Sequence, residues 1–229
     1  PAGSFSYRAA GDFRVGNRVV DAPIQHNMAT DRFDIMQFPV TQADYLACVT
    51  AGACRPADAA GKAADLAVTG VNFNDATAYA AWLSHVTAQS WRLPTDPEWQ
   101  SAAAERAPVE ALVQTTDDPA KRWLQSYRAE AASRAVADPV LHPRGSFGVN
   151  SLGVGDLAGN VWEWTSSCFV NAKLDDSGAV LQTSDYCGVR VIEGQHRTFL
   201  VDFVRNPVSG GCSVGLPPDF AGFRLVRDE

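Results

Sequence analysis

A chain of 229 residues, 46% hydrophobic and only 20% charged, with six Trp and eleven Phe, carries enough apolar side chain for a sizeable core. That excludes intrinsic disorder, coiled coil and collagen-like repetition. Nineteen Lys and Arg against 26 Asp and Glu give a formal charge of −7 with the basic residues scattered, so no nucleic acid or anionic membrane surface is an expected partner.

Three segments read as helices, each with a start signal. Thr41-Gln-Ala-Asp44 forms a capping-box pattern ahead of Tyr45, Leu46 and Val49, with Gly52 as the stop. Asn74-Asp75 precedes Ala76, Tyr79, Ala80, Leu83 and Val86, an i, i+3, i+4, i+7 stripe that predicts one buried face through about Gln89. Thr95-Asp96-Pro97-Glu98 caps a third run from Trp99 to about Arg106, with Pro in the first turn where its missing N–H does no harm. A weaker helical pattern covers 120–127. From Ala135 onward Gly, Pro, Asn, Asp and Ser predict sparse regular structure, with strands at Val189–Ile192, Thr198–Val204 and Gly222–Val226. Helices early and strands late, without βαβ alternation, predict an α+β fold in a single domain over 1–229.

No stretch reaches the ~18–20 continuous apolar residues of a membrane-spanning helix. The opening Pro1-Ala2-Gly3 has neither an initiator Met nor a basic-then-apolar leader, so a trimmed start is expected. Four of the five cysteines fall into two candidate pairs, Cys48/Cys54 and Cys168/Cys187, leaving Cys212 over. Paired, they indicate an oxidising compartment, periplasmic or secreted; the other reading is five buried thiols in a reducing one.

Six segments occur in an order that resembles one family: Pro1-Ala-Gly-Ser-Phe5, Phe38-Pro-Val-Thr41 with Tyr45, Val71-Asn-Phe-Asn-Asp-Ala76, Trp91-Arg-Leu-Pro-Thr-Asp-Pro-Glu-Trp99, Gly159-Asn-Val-Trp-Glu-Trp164 and Gly222-Phe-Arg224. They are similar to the formylglycine-generating-enzyme, or sulfatase-modifying-factor, superfamily. The resemblance implies a C-type-lectin-like α+β fold with little regular structure, structural calcium, and a groove near the C-terminal strands. By position the calcium ligands would be Asp156, Gly159, Val161 and Glu163, hard oxygen donors of the type that ion prefers. The competing reading is a salt bridge from Glu163 to Arg92 or Arg224. The family's second calcium site has no match in Ala129–Pro139. Arg92, Glu98, Trp99, Trp162 and Trp164 match framework positions and read as structural.

The family's reaction, oxidation of a substrate cysteine to formylglycine by O₂, uses copper(I) held by two cysteines on the strand after an Arg-Gly-Gly-Ser-Trp-like turn. Soft thiolates suit copper(I), and the matching stretch Arg190–Arg205 holds no cysteine, so no copper is expected at this position. A branch that takes iron from a separate His-rich helical domain needs a longer chain. Chain length, the Cys48-Val-Thr-Ala-Gly-Ala-Cys54 loop and the second Cys pair resemble those of single-domain periplasmic members, including a siderophore-maturation protein that oxidises the pyoverdine chromophore and proteins found alongside copper nitrite reductases. Where the copper cysteines would lie stand His196, Arg197, Asp202 and Arg205, followed by Cys212.

If these residues share a groove near 196–212, His196 could serve as acid/base, Asp202 could orient it, the arginines could hold an anion and Cys212 could be a reactive thiol. Strand alternation counts against presenting His196 and Arg205 on one face, and structural salt bridges or a packed thiol are the plain alternatives. The expectation is an oxidoreductase or maturation factor acting on a secreted metabolite or metalloenzyme, with a small-molecule or peptide substrate. The rival is a non-catalytic lectin-like module that binds a protein or glycan.

Overall fold

The computed structural model describes residues 4–59, 63–108, 124, 140–201 and 218–228. Five short strands open the chain: β1 (Phe5–Arg8), β2 (Gly11–Val15), β3 (Arg18–Val20), β4 (Ile24–Met28) and β5 (Phe33–Ile35). None was expected, because segments of three to five residues with mixed polarity carry almost no alternation.

The helices begin where their side chains can satisfy the first free amides. In α1 (Gln42–Thr50) the Asp44 amide donates to Thr41 Oγ1 at 3.2 Å and the Thr41 amide donates to the Asp44 carboxylate at 3.2 Å. In α2 (Phe73–Thr87) the cap is Asn72, two residues before the expected Asn74-Asp75, because Asp75 serves as the third-position partner of the box. Burial on α2 covers Ala76, Tyr79 and Ala80, while Val86 at 54% exposure projects past the core. Likewise α1 buries Tyr45 and Cys48 and leaves Leu46 exposed. Strand β6 (Trp91–Arg92) leads into α3 (Asp96–Ala103), capped by Thr95 and Glu98. The expected run to Arg106 finishes as a single 3₁₀ turn, Ala104–Arg106. The weaker pattern over 120–127 lies, apart from Leu124, outside the described residues.

The largest departure from expectation is a long hairpin of β7 (Trp162–Leu174) and β8 (Val180–Glu193), in a region that reads as mostly irregular. Residues 180–188 of β8 are exposed throughout, so burial leaves no period-two signal there, and the register shifts at three places along β7. The expected strand at Val189–Ile192 is its inner end. β9 (Thr198–Val201) pairs with β8, and 202–204 lie outside the described residues.

The expected Gly222–Val226 strand divides into β10 (Ala221–Gly222), parallel to β7, and β11 (Val226–Asp228), between β5 and β6. Phe223, Arg224 and Leu225 between them are fully buried; the Phe223 carbonyl accepts from the Val40 amide and the Leu225 carbonyl from the Met36 amide, both at 2.9 Å.

The main sheet runs β3-β2-β7-β8-β9 with β10 beside β7, β1 pairs with β4, and β5-β11-β6 forms a third sheet. At the inner ends of β7 and β8 sits the core, where Trp164 and Ile192 join Tyr45, Tyr79, Leu93, Phe223 and Leu225. Tyr79 meets the Phe223 ring at 5.4 Å and stacks on Tyr45 at 5.8 Å. Two disulfides form, Cys48–Cys54 and Cys168–Cys187, as the oxidising reading expects.

Candidate functional site

The two most distinctive motifs meet in the core. Trp99 Nε1 on α3 donates to Glu163 Oε2 at 2.8 Å, and Arg224 grips the same carboxylate through Nε at 2.6 Å and Nη2 at 2.7 Å. Arg224 also donates to the carbonyls of Gln37 and Gly155, so its buried charge is matched and its remaining N–H groups are satisfied. Arg92 pairs with Glu98 by two bonds of 2.8 and 2.7 Å and also reaches Asp228. Trp99 and Trp164 are fully buried, whereas Arg92 and Glu98 also line a surface cleft with Thr95 and Asp228.

The salt-bridge alternative for Glu163 is thus realised, with Arg224 as partner. Asp156 is equally engaged: its two oxygens accept from the amides of Gly145 at 2.7 Å and Phe147 at 2.9 Å. A calcium ion ligated by Asp156, Gly159, Val161 and Glu163 would have to share or displace every one of these donors, and it would sit beside a guanidinium. The oxygens as arranged do not fit that ion, and the calcium expectation rests on the resemblance alone.

Of the four catalytic expectations, Asp202, Arg205 and Cys212 lie outside the described residues. His196 is half-buried in the bend between β8 and β9. Its ring meets Trp162 edge-on at 5.4 Å, and its carbonyl accepts from Trp162 Nε1 at 3.1 Å. A Cβ at Gly194 would lie 2.8 Å from the Trp162 ring, so this bend requires glycine. Strand parity does not govern His196 and Arg197, because β9 begins only at Thr198. Arg197 is not a free anion-holding group: its side chain is 6% exposed and its Nη1 donates to Asp96 at 3.0 Å and to the Arg8 carbonyl at 2.6 Å.

That ion pair belongs to a buried polar set that the sequence reading missed. Tyr7 donates its hydroxyl to Asp96 at 2.8 Å, Gln100 Nε2 donates to Asp96 at 3.2 Å and to Glu193 at 2.9 Å, and Asp96 and Glu193 are both fully buried. Burial first, then the adjacent Asp96 charge, holds the Glu193 carboxyl well above the usual carboxylate range. Glu193 therefore holds its proton to higher pH than a free glutamate does. Burial, reinforced by Asp96, likewise pushes the Tyr7 phenol up, so it stays a donor.

Tyr7 lines a cavity of about 300 Å³ together with Thr95, Ser166, Ser167, Cys168 and Val191, and the Ser167 hydroxyl accepts from the Asp96 amide. The cavity therefore offers hydroxyl groups backed by a proton-holding acid pair. One signal was available in the sequence: Glu193 directly follows the apolar run Val191-Ile192, where an acid is carried into the interior.

Three sheets with early capped helices, and a Trp–Glu–Arg clasp joining two distant motifs, define a protein of the formylglycine-generating-enzyme fold. The chain belongs to the family described as the sulfatase-modifying factor enzyme 1-like domain, whose profile matches residues 1–229. It is similar to the formylglycine-generating enzyme of Mycobacterium tuberculosis, 34% identical over 109 residues that make up 44% of this chain and 33% of that one. It is also similar to the inactive C-alpha-formylglycine-generating enzyme 2 of Mus musculus, 33% identical over 120 residues, 48% of this chain and 35% of the relative.

The matched segments thus span about a third of those relatives' length. Among solved structures, PvdO from Pseudomonas aeruginosa superposes with a TM-score of 0.59 at 20% identity, covering 99% of this chain and 92% of that one. CarF superposes with a TM-score of 0.55 at 20% identity, over 100% and 99%. These two likenesses establish the fold.

Proposed function

We propose that this chain is a periplasmic maturation protein of the formylglycine-generating-enzyme type, an oxidoreductase acting on a secreted metabolite or metalloenzyme, and that it does not generate formylglycine with copper. One observation carries the reading: Arg190–Arg205, where the family places its two copper thiolates, contains no cysteine, and the nearest one before it, Cys187, is bonded to Cys168. The disulfides support an oxidising compartment, and no helix among the described residues is long and apolar enough to cross a membrane. His196, on the bend against Trp162, is the described residue best placed to exchange a proton with a substrate there.

The test is comparative mass spectrometry of a producing strain with and without the protein. Oxidative maturation predicts accumulation of a precursor richer by two hydrogens, cleared by the wild-type protein and not by His196→Ala. Metabolites and metalloenzymes unchanged on deletion would overturn the proposal and favour the binding module.

A further inference from the structure

We propose that the Cys168–Cys187 disulfide is a thiol–disulfide exchange site that takes two electrons from a neutral or cationic dithiol peptide, with Arg190 stabilising the Cys168 thiolate as it leaves. The site goes beyond the maturation reading and uses none of residues 196–212.

The disulfide spans an irregularity of the hairpin. Cys168 faces Arg190 across the ladder while the next residue, Phe169, faces Tyr186, so Cys187, Gly188 and Val189 bulge between those partners. Cys187 is exposed on this bulge, and half-buried Cys168 lines the cavity beside Ser166, Ser167 and Asp185. A thiol in solution can therefore reach Cys187, with Cys168 as the inner sulfur.

Arg190 is fixed against that inner sulfur. Its Nη1 donates to Cys168 Sγ at 3.0 Å and to the Ser166 carbonyl at 2.7 Å, and its guanidinium centre stacks 3.9 Å from the Phe73 ring centroid. A cation held on a sulfur lowers the pKa of the thiolate formed there, which speeds its departure and favours the reduced pair. Asp185 on the cavity wall disfavours an anionic thiol, hence the charge of the substrate class. The other disulfide differs in exposure: Cys48 and Cys54 are buried in the apolar core.

In the exchange, one substrate thiolate attacks Cys187 Sγ, the bond to Cys168 breaks, and its electron pair leaves on Cys168 beside Arg190. The second substrate thiolate then attacks the substrate sulfur of the mixed disulfide and releases Cys187 as a thiolate, which is protonated. The substrate loses two electrons and two protons and becomes a disulfide, while Cys168 and Cys187 take up the electrons and, as each thiolate is protonated from solvent, become a dithiol. A small-molecule disulfide restores the oxidised pair by the reverse exchange.

The folded full chain is equilibrated in buffers of cysteamine and its disulfide, a cationic pair, quenched with acid, alkylated and mapped by mass spectrometry, with Cys48–Cys54 as the internal reference. Cys168–Cys187 should be half-reduced at a thiol-to-disulfide ratio on the order of tenfold more oxidising than the reference, with the cysteamine adduct on Cys187. Arg190→Gln should move that midpoint several-fold toward reducing conditions, and Arg190→Lys should retain most of the wild-type value. Reduction of both pairs together, an adduct on Cys168, or an unmoved midpoint in a folded Arg190→Gln variant would each overturn the proposal. Should that variant not fold, the comparison of the two pairs and the adduct position in the wild type still decide it.

Discussion

Glu193 shows how one buried proton sets a pH dependence. Its folded-state pKa lies above its unfolded one, so the folded chain binds the proton more tightly. The contribution is therefore complete below the ordinary glutamate range, near pH 4.5, and is lost as pH rises toward the elevated folded value. Glu193→Gln keeps a neutral group against Asp96 and removes this loss. Thermal melts from pH 4 to 8 should show the variant gaining on the wild type as pH rises, by about 1–3 kcal/mol at neutrality; parallel curves would mean that Glu193 does not hold the proton. Tyr7→Phe deletes the hydroxyl that donates to buried Asp96 and should cost about 1–2 kcal/mol in urea unfolding.

The helices, the clasp and the hairpin carry different kinds of information. Replacing Glu163 by Gln leaves the Arg224 guanidinium buried beside a neutral amide, and chemical unfolding should show a loss of about 3–5 kcal/mol. Thr41→Ala removes one α1 cap bond and should cost about 1 kcal/mol by the same measurement.

The helix starts were legible because a cap is a local contract between residues three apart. The two-residue offset at α2 came from taking Asn74-Asp75 as the start signal, whereas Asp75 is the third-position partner of the Asn72 cap. The β8 arm of the β7–β8 hairpin was not legible, because residues 180–188 are exposed throughout and burial imposes no periodicity on them, while in β7 the alternation is confined to the short stretch ending at Ala172 and Leu174. Nor was the acid pair: Asp96 was read for its place in a cap, and its second role depends on Tyr7, Glu193 and Arg197, which only the fold brings together. Arg197 failed as a candidate anion holder for the same reason. His196 is half-buried on the bend against Trp162, and its expected partner Asp202 lies outside the described residues.

Across the molecule, motifs from 91–99, 159–164 and 222–224 converge on one core, so the family scaffold is held by apolar packing and by the Glu163–Arg224 pair. With Asp156 and Glu163 supplied by protein donors, chelation with EGTA should leave the melting temperature unchanged; a clear fall would restore calcium at those residues.

A formylglycine-generating-enzyme scaffold with no cysteine in Arg190–Arg205, and with four other cysteines paired in disulfides, should hold no copper. The most direct test is copper(I) titration of the purified protein against a chromogenic chelator, followed by elemental analysis and a thiol count on the unfolded sample. The expected result is no retained copper and one titratable thiol, since four of the five cysteines are bonded. Copper retained at one equivalent, or five titratable thiols, would contradict it.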